Sequence, residues 1–146
     1  MADAIPKRSL PRSIGAVSAG LLAIFILSMG VDGVLHATGV FPPIGQPMSD
    51  ALFLLATAYR IVFDVAGCWL AARLAPDRPM RHAWALGILG FVFSIAGAAA
   101  TWNKGPEFGP KWYPILLVLT VAPSAWAGGK LYLMQAAARG DTRGGK

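Results

Sequence analysis

Charge is scarce in this chain, and acid is the scarcer sign. Only 14% of its 146 residues are Asp, Glu, Lys or Arg, and only 7 are Asp or Glu, where a soluble domain carries about 25% charged residues. Too little charge remains to solvate the surface of an ordinary globular fold. Cysteine is nearly absent. Cys68 stands alone, which excludes an internal disulfide and any CxxC metal or redox site. Within its apolar run it reads as a small buried residue. Histidine occurs twice, as His36 and His82, so there is no HExxH and no histidine pair suited to heme. There is also no glycine-rich phosphate loop and no serine or cysteine nucleophile arrangement. No cofactor and no structural or catalytic metal is expected.

What the chain has in quantity is apolar sequence: 55% of it is hydrophobic and the mean hydropathy is +0.55. The net charge of +6 and pI near 10.0 would raise nucleic acid as a partner in a soluble protein. Here the Lys and Arg sit beside long apolar runs, no basic stripe is interleaved with aromatics, and no nucleic-acid partner is expected. The partner implied is the lipid bilayer.

A hydrocarbon core of about 30 Å takes about 20 helical residues, and four stretches are long enough. They run over 13–39, 49–75, 83–102 and 112–138, and they predict an all-α, four-helix transmembrane bundle. Residues 1–12 form a basic N-terminal segment, and 139–146 a polar tail expected to be disordered. The first apolar run exceeds the 7–15 residues usual for a signal-peptide core, so it is read as a span. Pro76, Asp77, Arg78 and Pro79 make a tight turn, because proline breaks helices and presets turns.

The basic residues also set an expected orientation. Lys7, Arg8, Arg12, Arg73, Arg78, Arg81, Lys130, Arg139, Arg143 and Lys146 fall on one side; Lys104 and Lys111 fall on the other. Positive charge gathers on the cytoplasmic side. Both termini and the middle turn are therefore expected inside (N-in, C-in), and the 40–47 and 103–111 connections outside. The short loops and clear bias fit a bacterial inner membrane. Small residues spaced by four, Gly90, Ser94 and Ala98 on the third helix and Ser124 and Gly128 on the fourth, suit close helix packing.

Ionisable residues inside a span are costly and suggest function by default. Asp32, His36, Arg60 and Asp64 are the candidates. At about 1.5 Å per residue, Asp64 lies about 14 Å and Arg60 about 20 Å from Arg73 at the inner edge. Arg60 and Asp64, four apart, share a helix face and can pair directly; Arg60 is expected within ion-pair distance of Asp32, Asp64 or both. Side chains lean toward the N-terminus of their own helix, so Asp32 leans inward, Arg60 leans outward, and the two can meet beside Tyr59. Such a cluster reads either as a solute or proton site or as an ion pair that fixes helix register. His36 with Asp32 and Glu107 would offer one imidazole and two carboxylates, a poor metal set; a bond from His36 to loop backbone is the simpler reading. The stretch from Gly105 to Pro110 sets Glu107 and Phe108 between two Gly/Pro pairs, either to recognise an external partner or as a rigid connection lying on the interface.

Three classes of function fit. One is a membrane protein that binds or passes a small polar or anionic solute through Asp32, Arg60 and Asp64, as an oligomer, since four helices leave little room for a private pore. A second is a non-catalytic accessory subunit of a larger membrane complex. The third is a membrane-embedded enzyme using its carboxylates. The charge asymmetry yields a direct test of topology. Single cysteines near Pro43 and Glu107 should react with an impermeant reagent added outside intact cells, and cysteines near Asp77 and Arg143 only after permeabilisation. Labelling at Asp77 from outside would refute the orientation.

Overall fold

The computed structural model describes residues 10–141. Four helices follow one another: α1 (Leu10–Ala37), α2 (Asp50–Leu74), α3 (Pro79–Thr101) and α4 (Trp112–Asp141), with a short 3-10 turn, Pro106–Phe108, before the last. The fold is an all-α four-helix bundle. All four helices are long and apolar enough to cross a membrane, which suggests a small polytopic membrane protein.

The helix ends follow local chemistry. Pro79 supplies the fixed φ of the first turn of α3, four residues earlier than the expected 83, because proline is well placed where its missing N–H has no helical partner. Arg78 before it holds a left-handed φ of 41°, an uncommon conformation for a residue with a Cβ, and this reverses the chain within residues 75–78. Gly39 and Gly45, with φ of 75° and 91°, bend the α1–α2 connection. The tail expected to be disordered from residue 139 starts instead inside α4, which runs to Asp141. Residues 142–146, and the basic residues Lys7 and Arg8, lie outside the described residues.

The helices pack in the order α1, α2, α4, α3, with contact between α1 and α3 sparse. Two ends can be distinguished. At the turn end, near residues 75–78, the interior is closed. Ala71, Ala72, Ala83 and Ala125 are fully buried and Leu86 is 1% exposed. Here backbones meet at glycines. A Cβ on Gly20 would stand 2.7 Å from a Leu86 methyl, and one on Gly87 2.6 Å from the Ala125 Cβ. In lipid there is little hydrophobic gain from joining helices, so such close approach carries the association.

Toward the loop end, α1 and α3 part. Buried residues on α1 are Ala16 and Gly20, and on α3 His82, Ala83, Leu86 and Gly87, all in the turn-end half of each helix. Further along, Gly30 and Gly33 on α1 and Gly97 on α3 have nothing within 4 Å of an added Cβ. By contrast α2 keeps Phe53, Ala56 and Thr57 buried near the loop end. The loop end is capped by Phe41, 3% exposed, and by Gly109. A Cβ there would stand 2.6 Å from the Phe53 ring, so the 103–111 connection folds onto α2.

This contrast predicts opposite effects of one substitution at two glycines. An alanine Cβ at position 128 would meet the Val65 carbonyl oxygen at 2.5 Å and the Cys68 Cβ at 2.7 Å. Gly128→Ala should therefore destabilise the bundle by about 1–3 kcal/mol, the usual cost of overpacking. Gly97→Ala should be neutral or stabilise by up to about 1 kcal/mol, from helix propensity alone. Thermal unfolding of the two variants in nanodiscs checks both signs.

Candidate functional site

Where α1 and α3 diverge, they leave a cleft of about 550 Å³. Its back wall is α2 and α4. Arg60, Asp32, Asp64 and Tyr113 line it within the spans, and Glu107 and Phe108 line it from the connection before α4. Phe25 and Met29 of α1 and Phe93 of α3 form its rims and are also exposed on the outside of the bundle. The cleft therefore opens sideways between two helices, toward the region that lipid tails fill around a spanning bundle.

Arg60 is the centre of its bonding. Its Nη2 donates to Asp32 Oδ2 at 2.6 Å, an ion pair whose side chains are 25% and 30% exposed. Its Nη1 donates to the Tyr113 hydroxyl at 2.8 Å, and a longer contact reaches the Tyr59 hydroxyl at 3.5 Å. The Tyr59 hydroxyl donates to the second oxygen, Asp32 Oδ1. Both carboxylate oxygens of Asp32 are thus engaged, and α1, α2 and α4 are tied together through one guanidinium. Such charge-assisted bonds are about twice as strong as neutral ones. Tyr113 is held in turn by the Phe53 ring, 4.8 Å away between centroids.

Asp64 does not pair directly with Arg60 as the four-residue spacing suggested. Among the described residues no hydrogen bond or ion pair to Asp64 is formed within bonding distance. The reason is the lean of helical side chains toward their own N-terminus. Arg60 extends toward the loop end, away from the turn that carries Asp64, and finds Asp32 on the neighbouring helix. Asp64 lines the cleft and also a deeper recess of about 140 Å³ floored by Leu86 and Val121.

His36 stands apart from this group. Its Nδ1 is 2.8 Å from the Pro42 carbonyl oxygen, which can only accept, so Nδ1 carries the proton. Its ring meets the Phe41 edge at 5.4 Å. The histidine pins the α1–α2 connection and does not line the cleft. Among the described residues no three His, Cys, Asp or Glu side chains gather as metal ligands.

Glu107 and Phe108 are brought to the cleft mouth, Phe108 being 41% exposed with the Lys104 ammonium 5.2 Å from its ring centre. The Glu107 side chain folds back over Gly105, where a Cβ would stand 2.8 Å from the carboxyl carbon. Tyr113 was legible only as an interfacial aromatic. Its bond to Arg60 depends on the crossing of α2 and α4, which no local pattern encodes.

No protein-family model, no curated protein and no solved structure matches this chain.

The geometry gives a test of what Arg60 holds. Arg60→Ala leaves Asp32 without its cation inside the span and should cost about 3 kcal/mol on the lenient insertion scale. Folded yield and melting temperature in nanodiscs should both fall. Combining it with Asp32→Asn and Asp64→Asn should restore most of the loss. A triple variant no better than the single one would show that Arg60 acts through packing and not charge.

Proposed function

We propose that this chain is a multi-pass membrane protein that binds a small polar solute or head group in the cleft at Asp32, Arg60 and Asp64. Both termini face the cytoplasm in this reading, and the bacterial inner membrane is its setting. The observation that carries the proposal is a cavity of about 550 Å³ whose walls place one guanidinium and two carboxylates within the spans. A pair that served register alone would be expected to close on itself, because ionisable groups in a span are costly. This one keeps an open volume beside it.

Of the solutes suggested by the sequence, the polar one is favoured over the anionic one. The cleft holds Arg60 against Asp32, Asp64 and Glu107, and Arg60 already donates to Asp32 and Tyr113. An anion would find its natural partner engaged and face surplus negative charge. Binding is favoured over passage through one chain, since the turn end is closed by Leu86, Ala71, Ala83 and Ala125. Passage would require an oligomer or a second arrangement of the helices.

Native mass spectrometry of the protein released from nanodiscs tests this reading. The wild-type chain should carry a bound species that Gly97→Leu lacks, because a side chain at Gly97 enters open space on the cleft wall. The same spectra give the oligomeric state and reveal any stoichiometric companion. Wild type and Gly97→Leu both free of added mass, alongside a constant partner protein, would replace the solute reading with that of an accessory subunit.

A further inference from the structure

We propose that the occupant of the cleft is a membrane amphiphile with a protonated amine, entering sideways from the bilayer between α1 and α3, its ammonium seated against Asp64. The inference rests on the solute-binding reading and specifies its ligand class.

The charge inventory fixes the sign of the head group. Arg60 and Asp32 pair with each other, and Tyr59 and Tyr113 add one hydrogen bond each to that pair. Asp64 is left as the carboxylate within the span that accepts no hydrogen bond among the described residues. It lies where the cleft meets the deeper recess, and both cavities are lined by Phe25 and Phe93 as well. A carboxylate in cavities also lined by two aromatic side chains is a setting that favours an ammonium. The carboxylate supplies the counter-charge, and an aromatic ring face attracts a cation. At this depth a carboxylate without a bonded partner is costly even with the Arg60 charge one helical turn away, and a bound ammonium reduces that cost.

The walls fix the rest of the molecule. A solute arriving only from water needs a polar path, whereas the long opening here runs between helices. Met29 and Phe93 form its two rims, 68% and 53% exposed. An alkyl chain can lie across these rims while its head group reaches Asp64. At the loop end Glu107 adds a second negative charge at the mouth, which opposes anionic head groups.

The full chain in nanodiscs, exposed to a dodecylamine with a photoreactive diazirine in its tail, provides the test. Labelling should fall on the peptides carrying Phe25, Met29 and Phe93. Unlabelled dodecylamine should compete, ethylamine should need well over about a hundredfold more for want of its apolar tail, and lauric acid should not compete. Asp64→Asn should weaken labelling about tenfold or more, with Asp64→Glu retaining it. Gly97→Leu, which fills open space without touching a charge, should abolish it. If ethylamine competes as well as dodecylamine, the ligand comes from water. If lauric acid competes better than the amine, the charge is of the wrong sign. Either result overturns this inference and leaves the cleft as a binding site. Labelling spread over all lipid-facing helices, and unchanged by Gly97→Leu, would overturn both the inference and the binding reading.

Discussion

Helices surrounded by lipid gain little by hiding apolar surface from one another, so the bundle depends on how closely its backbones approach. In this protein that approach is concentrated at glycines on the turn-end half. Gly20 meets Gly67 and Leu86, Gly87 meets Ala125, Gly128 meets the backbone of Val65 and Trp69, and Gly129 meets Met80 and Ala83. Because α2 takes part in contacts with every other helix, it acts as the post on which the others lean. The remaining architecture follows. Helices clamped over half their length are free to diverge over the other half, and the cleft is the space that divergence leaves.

The polar cluster sits in the diverging, loop-end half of the bundle, where it adds directed bonds between helices. Arg60 reaches α1 through Asp32 and α4 through Tyr113, so directed bonds join three helices around the cleft. An ion pair removed from water is weak evidence of stability by itself. Its geometric effect is plainer: it holds the back wall of the cleft in one arrangement and leaves Asp64 facing open volume. Asp32, Arg60 and Tyr113 thus tie the helices together, and Asp64 lines the cleft without a hydrogen bond among the described residues.

Much of this was legible in the sequence, for reasons that can be assigned to particular residues. The four helices follow from apolar runs of sufficient length; α1 starts three residues before 13 and ends two before 39, α2 is one residue shorter at each end, α3 starts at Pro79, where proline could begin a helix, and α4 runs past Ala138 to Asp141. The proximity of Asp32 and Arg60 was readable from depth and the lean of side chains on antiparallel helices. Of the two acceptors the sequence offered Arg60, Asp32 takes the guanidinium and Asp64 does not, a choice that spacing along one helix could not make. His36 shares a helix face with Asp32 and bonds the Pro42 carbonyl, the loop-backbone contact that its place at the helix end suggested. The cleft itself was not legible. It arises from where small residues stop making contact, and Gly97 looks the same in sequence as Gly87.

The short turn at residues 75–78 makes the molecule two antiparallel hairpins, α1 with α2 and α3 with α4, joined like the arms of tweezers. Leu86 and Thr101 are separated by 15 residues of α3, a lever arm of about 22 Å, so a rotation of about 5° at the turn end moves the far tip by about 2 Å. The width of the opening is therefore governed by an angle set at small residues far from it. Across the tips the Tyr113 hydroxyl, bonded to Arg60 on the opposite arm, is the clasp. Whatever competes with that hydroxyl for the guanidinium also loosens the arms.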